Sequence, residues 1–129
     1  MAFLLDTHVV LWYASEDAKL SSRAREIVDA KMNLFVSIAS LWEITIKINI
    51  GKLKLDDSFE GLLERLAVMG AEIIPINVVH LQTYINLPLL SDHRDPFDRI
   101  LISQATNHKL DLVSADTAFD AYSIRRVWE

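Results

Sequence analysis

Four acidic residues could do chemistry that the rest of the chain does not offer. Asp6, Glu43, Asp98 and Asp116 all stand in apolar surroundings. An ionised carboxylate in such surroundings is costly unless a cation or hydrogen bonds compensate it. Four carboxylates gathered in one partly desolvated cleft would repel one another, and the usual remedy is a hard divalent cation bound by oxygen ligands. Magnesium or manganese would fit this all-oxygen set.

A cation of this kind supports one reaction most naturally. It lowers the pKa of a bound water and stabilises charge that builds on a phosphoryl oxygen, and two such cations can clamp the attacking and leaving oxygens of an in-line displacement. The four acids therefore favour hydrolysis of a phosphodiester bond.

The densest chemistry of the chain lies in residues 93–99, with the sequence HRDPFDR. Asp95 predicts a helix N-cap and Pro96 the first helical residue of a helix over residues 96–108. The three-and-four spacing puts Asp98 on the apolar face of that helix, toward the protein body. A purely structural interpretation is that the helix dipole favours an acid in its first turn.

Glu43 also has a structural interpretation. It lies in an apolar helix predicted over residues 38–50, where Ser40 and Glu43 have the spacing of a capping box. However, the apolar periodicity begins at Ile38, before the proposed cap. Lys47 follows one turn later and could pair with Glu43 or contact a phosphate.

Strand-like and helix-like segments alternate along the chain. Strands are predicted at residues 1–5, 34–37, 73–76, 112–114 and 124–128, with Pro75 favouring an edge position for the third. Helices are predicted at residues 21–31, 38–50, 78–87 and 96–108, together with one that a capping box at residues 57–60 opens and Gly70 closes. This alternation predicts an α/β fold with a largely parallel sheet. In such sheets, sites form beyond the carboxyl ends of the strands, where Asp6 and Asp116 stand.

Composition limits the alternatives. A chain of 129 residues makes one domain, and its 51% hydrophobic content with a mean hydropathy of +0.21 predicts an apolar surface for a partner. The absence of cysteine excludes disulfides, thiolate zinc sites and cysteine nucleophiles. The net charge of -5 argues against general electrostatic attraction to nucleic acid, so any such role must rest on local basic residues or a bound metal. No apolar run is long enough to span a bilayer, and we expect a cytoplasmic protein.

Other α/β chemistries lack their residues. The three glycines, Gly51, Gly61 and Gly70, do not form a glycine-rich turn after a strand, so a phosphate-cradling loop is not predicted. A phosphoaspartate hydrolase would need a second acid two places after Asp6, where His8 stands. A receiver domain would need paired acids at the first strand and a lysine after a late strand, and neither is present.

Four motifs, taken together, resemble the PIN-domain family, and most closely the VapC-type toxins of prokaryotic toxin–antitoxin pairs. They occur in the family's order and spacing over nearly the whole chain: LLDTH at residues 4–8, SLWEI at 40–44, HRDPFDRIL at 93–101 and LVSAD at 112–116. The resemblance implies a single domain over residues 1–129, with a three-layer α/β/α fold around a five-stranded, mostly parallel sheet. It also implies a magnesium- or manganese-dependent endoribonuclease, a homodimer that a cognate antitoxin holds inactive.

The resemblance also implies roles for individual residues. Asp6, Glu43, Asp98 and Asp116 match the four family acids. We expect Asp6 and Asp98 to bind the metal, with Glu43 and Asp116 binding it directly or through a water that attacks the RNA. Supporting roles around them are expected for Thr7, Ser114, Asp95 and Asp120, although capping alone would explain Asp95.

Other residues leave alternatives open. His8 and His93 could add nitrogen ligands for manganese or zinc, or act as hydrogen-bonding neighbours. The three tryptophans are expected to pack rather than to stack on bases. The RNA backbone would be held by basic residues, for which the candidates are Lys47, Lys52, Lys54, Arg94 and Arg99.

Two other functions remain open from the sequence. The acidic pocket could dock a basic partner in a module without catalysis, which the net charge and the apolar composition would suit. The same metal site could instead serve a structure-specific DNA nuclease. A docking module would cut no RNA by itself, and a DNA nuclease would cut DNA in preference to RNA, so an RNA cleavage assay on the chain alone distinguishes these functions from the ribonuclease.

Overall fold

The computed structural model describes residues 1–129, and strands and helices alternate along them. The strands are β1 (Phe3–Leu5), β2 (Leu34–Ser37), β3 (Glu72–Ile74), β4 (Asp111–Val113) and β5 (Arg126–Val127). The α-helices are α1 (Thr7–Ala14), α2 (Ser22–Asp29), α3 (Ile38–Asn49), α4 (Phe59–Val68), α5 (Val78–Ile85) and α6 (Pro96–His108), and a 3-10 helix covers Thr117–Ala121.

The five strands form one parallel sheet in the order β3-β2-β1-β4-β5. β1 is the central strand, and Leu5 at its end is level with Val36 of β2 and Val113 of β4. The residues that follow β1 and β4 therefore emerge side by side at the carboxyl ends of the strands, which we call the carboxyl edge of the sheet. This is the edge where the sequence predicts the site.

Helices cover both faces of the sheet and give three layers. Leu4 and Leu5 are both fully buried, but they point to opposite faces because side chains alternate along a strand. Leu5 belongs to a core formed with residues of α1, α2, α3 and α4, whereas Leu4 belongs to a second core formed with α6. A central strand that is apolar on both faces is typical of a parallel sheet buried between helices.

Serine side chains are the N-caps of three of the helices. The side chains of Ser21, Ser37 and Ser58 accept hydrogen bonds from the backbone of the first turns of α2, α3 and α4. α3 begins at Ile38, as its apolar periodicity predicted, with Ser37 as its N-cap, so Ser40 and Glu43 lie inside the helix and do not form a capping box. α4 begins at Phe59, within the capping box predicted at residues 57–60, and the Ser58 hydroxyl takes the cap position.

The predicted fold class is confirmed: an α/β/α arrangement with a five-stranded sheet, parallel throughout. β3 lies at an edge, as Pro75 indicated, and α6 has the predicted bounds. Several elements are shorter than predicted at their ends, since hydrophobicity continues into flanking loops. The 3-10 helix after β4 was not predicted. No helix is long and apolar enough to cross a membrane.

Leu4 provides a test of this core. Leu4→Ala is expected to lower the free energy of unfolding by about 2–5 kcal/mol, because the side chain is fully buried in the central strand. Val68→Ala is the control, since Val68 is 71% exposed, and should change it by less than about 0.5 kcal/mol. Urea unfolding measures both. Equal losses in the two variants would contradict the described core.

Candidate functional site

Asp6 stands at the carboxyl end of the central strand, where α1 begins. It occupies the N-cap position of α1, yet its side chain makes no capping hydrogen bond. Instead Oδ2 accepts a hydrogen bond of 2.7 Å from the hydroxyl of Ser114, which follows β4. Only 5% of Asp6 is exposed. The parallel pairing of β1 and β4 thus places a nearly buried carboxylate at the edge of the sheet.

The electrostatics of Asp6 fit a site that attracts cations. Burial raises the pKa of Asp6 above its usual value, whereas the Ser114 hydrogen bond and the charge of His8 lower it. The negative charge of Glu43 raises it further. A nearby divalent cation would favour the ionised form that burial disfavours.

Glu43 reaches this edge from α3. Its Oε1 accepts a hydrogen bond from the Thr7 hydroxyl at 3.1 Å, and its Oε2 pairs with Lys47 Nζ at 3.2 Å. Oγ of Ser40 lies 2.9 Å from the same Thr7 hydroxyl. These contacts explain why Glu43 occurs in an apolar helix: it belongs to a polar cluster between α1 and α3.

Asp98 comes from the first turn of α6. Its Oδ2 lies 3.0 Å from Nε2 of His93, a residue that is 8% exposed. Burial raises the pKa of Asp98 to about 6, the His93 hydrogen bond opposes this, and the charges of Asp95 and Asp6 add to it. The charge of Glu43 raises the pKa of Asp6, and the charge of Asp6 raises that of Asp98, so the three acids are near enough to interact and we call them the electrostatic group.

Asp116 is placed differently from the other three. Its backbone N–H donates to the Ser114 hydroxyl at 3.0 Å, so the residue lies beside the Asp6 contact. Its carboxylate, however, caps the 3-10 helix by accepting from the N–H of Ala118, and the residue is exposed. The structure brings the residue to the site but does not bring its carboxylate into contact with the other acids.

The donor atoms suit a hard cation in chemistry. They are carboxylate and hydroxyl oxygens, which Mg²⁺ and Mn²⁺ prefer, and the electrostatic group has more negative than positive charge to balance. The side-chain positions do not already gather three acids or histidines as ligands of one ion. Asp6, Glu43 and Asp98 are the residues that could hold one.

The surrounding residues have definite partners. Asp120 forms a two-point ion pair with Arg126, whose Nη1 donates to the carbonyl of Ser114 at 3.0 Å. Asp120 thus supports the Asp6 contact through two neighbours. Asp95 accepts hydrogen bonds from the N–H groups of the first turn of α6, which is its capping role.

Three of the predicted RNA-binding residues line one groove, which we call the basic groove. It has a volume of about 380 Å³ and runs between α1, α4 and the loop after α3. Its lining includes His8, Trp12 and four basic residues, Lys47, Lys52, Lys54 and Arg65, which outnumber its three acids, Asp17, Asp56 and Asp57. Because Lys47 also pairs with Glu43, the groove adjoins the acids.

The two arginines near α6 have different surroundings. Arg94 is exposed. Arg99 differs from its prediction as an RNA-binding residue: it is 5% exposed, and its guanidinium donates to the carbonyl of Pro88 and to the Tyr122 hydroxyl. It lies over the ring of Tyr84. The position next to Asp98 suggested a surface charge, but the spacing along α6 turns Arg99 into the protein.

Some members of this site were not predicted. Ser40 was considered only as a helix cap, and no role was predicted for Arg126. Their contacts depend on elements distant in the chain, so no local pattern could have indicated them.

Packing was predicted for the tryptophans. Trp12 packs against Trp128, whereas Trp42 is 58% exposed and meets Phe97 edge-on.

Comparison with known proteins identifies the family. The PIN domain family model matches residues 3–124. No curated protein matches the sequence. The chain belongs to the PIN-domain family, as its motifs indicated.

Solved structures share the fold. A chain of VapBC2 from Rickettsia felis bound to a promoter DNA fragment superposes with a TM-score of 0.71 at 18% identity over the full length of both chains. A toxin–antitoxin complex from Klebsiella pneumoniae gives 0.66 at 19% identity, covering 98% of this chain and 96% of the other. DNA-bound VapBC from Salmonella typhimurium gives 0.69 at 14% identity, covering 98% and 97%.

The raised pKa of Asp98 predicts how stability depends on pH. An acid whose pKa is 3.8 when unfolded and about 6 when folded destabilises the folded state above pH 6, and this penalty disappears as the pH falls toward 3.8. Asp98→Asn is therefore expected to be more stable than the wild type at pH 7.5. We expect a gain of about 1–2 kcal/mol, after allowing for the partial exposure of the side chain.

Unfolding by urea in chelator, at several pH values, measures this effect. The gain should shrink as the pH falls from 6 to 4. Asp92→Asn, which changes an exposed acid, is the matched control and should show no such trend. A gain that is the same at every pH would show that the charge of Asp98 is not its cause.

Proposed function

We propose that this protein is the toxin of a toxin–antitoxin pair, an endoribonuclease that requires Mg²⁺ or Mn²⁺. The observation that carries the proposal is the electrostatic group formed by Asp6, Glu43 and Asp98 at the carboxyl edge of a PIN-family sheet. Such an arrangement of mutually repelling acids is destabilising by itself, which favours a function that uses their charge.

The acids have separate roles in this proposal. Asp6 and Asp98 would hold the cation, Glu43 would contribute directly or through water, and Asp116 would act at the exposed rim. The cation would supply a lowered pKa for a nucleophilic water and stabilisation of charge on the phosphate oxygens. Hydrolysis forms a new bond from water oxygen to phosphorus and breaks one phosphorus–oxygen ester bond. Glu43 would take up the proton that the water releases, and the leaving oxygen would take its proton from solvent.

Neighbouring residues would keep these acids in place. Ser114 fixes Oδ2 of Asp6, and Thr7 fixes Oε1 of Glu43. Lys47 neutralises the other oxygen of Glu43 in the resting protein and, on the groove side, would meet the phosphate backbone of RNA. Lys52, Lys54 and Arg94 are exposed and would extend this contact.

A protein partner is part of the proposal. The similar structures from R. felis, K. pneumoniae and S. typhimurium were solved as complexes of a toxin with its antitoxin. This chain leaves several large apolar side chains exposed, which suits contact with a cognate antitoxin and with a second copy in a homodimer. On α5 and just after it they are Val78, Leu81, Ile85 and Leu89.

Cleavage of cellular RNA tests the proposal. The purified chain without its partner is expected to give discrete products with Mg²⁺ or Mn²⁺ and none with chelator. Asp98→Asn should lower the cleavage rate at least about 100-fold while the protein remains folded, because it removes a charge that would hold the cation.

The matched control is Asp92→Asn, which should cut as the wild type does. Unchanged cleavage by Asp98→Asn would remove this acid from the mechanism. Faster cleavage of DNA than of RNA would select a DNA nuclease. A wild-type chain that binds its antitoxin but cuts no nucleic acid would favour a docking module.

The salt dependence of RNA binding tests the basic groove. Lys52 and Lys54 are changed together to alanine in the Asp98→Asn background, so that RNA is not cut. This double change should weaken the binding of RNA whatever its sequence. The plot of log affinity against log salt concentration has a negative slope, and its magnitude should decrease by about 1.4, since each contact with a single-stranded phosphate contributes about 0.7. Fluorescence titration measures it. Arg23→Ala on α2 is the control, and an equal effect there would remove the groove from the RNA path.

A further inference from the structure

His93 has an unusual environment beside the acidic group. It is 8% exposed, and its Nε2 is 3.0 Å from Oδ2 of Asp98. Its other ring nitrogen, Nδ1, is buried without any hydrogen-bond partner. Because an ionised carboxylate accepts hydrogen bonds, Nε2 donates to Asp98, and Nδ1 is left as a buried polar nitrogen without a partner.

This environment argues against a purely structural role. A buried polar nitrogen without a partner is destabilising, and an apolar side chain of similar size would avoid that cost. The ring lies edge-on to Phe119 and Tyr122, with centroid distances of 5.6 and 5.4 Å, so its surroundings are otherwise apolar and aromatic. What only the histidine supplies here is the hydrogen bond to Asp98.

The same geometry leaves neither nitrogen free to bind a metal. Nε2 is occupied by Asp98, and Nδ1 faces the protein interior. The alternative in which His93 is a nitrogen ligand would require the contact with Asp98 to be given up. His93 therefore acts on a cation only through the carboxylate.

The position of His93 does not depend on Asp98. The Tyr122 hydroxyl is 3.4 Å from the His93 carbonyl, and the same hydroxyl accepts a hydrogen bond from Arg99. Arg99 in turn donates to the carbonyl of Pro88, so the loop before α6 is tied to the helix. These bonds anchor the backbone of His93, and the packing of its ring against Phe119 and Tyr122 holds the imidazole beside the first turn of α6.

We infer that His93 is a positioning residue that fixes the Asp98 side chain in one rotamer. By holding Oδ2, it leaves Oδ1, to which no protein group donates, available for the divalent cation. This inference rests on the proposed function for its consequence in catalysis. The fixed rotamer itself is a property of the metal-free protein and is tested separately.

The test compares His93→Leu with His93→Gln. Glutamine can place an amide N–H where the histidine Nε2–H lies, whereas leucine cannot donate. Side-chain couplings of Asp98 in NMR, without metal, should show one rotamer in the wild type and in His93→Gln and averaged rotamers in His93→Leu. Averaging in neither variant would overturn the inference whether or not the protein binds metal.

Binding and catalysis provide the second measurement. Calorimetric titration with MnCl₂ should give a dissociation constant about 10–100-fold higher for His93→Leu, with most of the affinity restored in His93→Gln. For RNA cleavage, kcat should fall and KM should stay near the wild-type value. In the Asp98→Asn background, His93→Leu should have no further effect on Mn²⁺ affinity, because its action passes through that carboxylate.

The outcomes separate this inference from the proposed function. A wild type that binds no Mn²⁺ and cuts no RNA contradicts the proposed function. A wild type that does both, with His93→Leu unchanged, contradicts only the positioning role. If His93→Leu does not fold, His93→Asn replaces it, since its shorter amide keeps polarity but does not reach Asp98. Equal losses in His93→Gln and His93→Asn would then overturn the inference.

Discussion

The geometry of the site depends on one buried hydrogen bond at the end of the central strand, between Asp6 and Ser114. Asp6 follows β1, loses most of its hydration there, and receives in return the Ser114 hydroxyl from the neighbouring strand. That hydrogen bond exists only when β1 and β4 pair in the observed register. The supports continue outward, because Arg126 donates to the carbonyl of the same serine and is itself held by the Asp120 carboxylate. The strand pairing that builds the sheet therefore also assembles the site.

The site brings together acids whose negative charges repel one another. Burial raises the pKa of both Asp6 and Asp98, and their negative charges add to the effect. Hydrogen bonds from Ser114, Thr7 and the His93 ring compensate individual oxygens but leave the group with excess negative charge. Stability is thus partly given up at one edge of a well-packed sheet, as is common where a protein binds a charged ligand.

Much of this was predictable because it depends on local patterns. The bounds of α6 followed from Asp95 and Pro96, and the edge position of β3 followed from Pro75. The strand-end rule placed Asp6 and Asp116 at one edge. The role of the Asp116 carboxylate was missed because the 3-10 helix that it caps was not predicted. Prediction also failed where distant contacts decide, since Arg99 turns inward to Pro88 and Tyr122. Spacing within one element cannot indicate a partner from another.

The most direct test of the central claim is anomalous diffraction from crystals grown with Mn²⁺. We expect an ion in direct contact with carboxylate oxygens of Asp6 and Asp98, with Glu43 binding it directly or through water. An ion held elsewhere, or none at this edge at saturating Mn²⁺, would contradict the claim that these acids form the metal site.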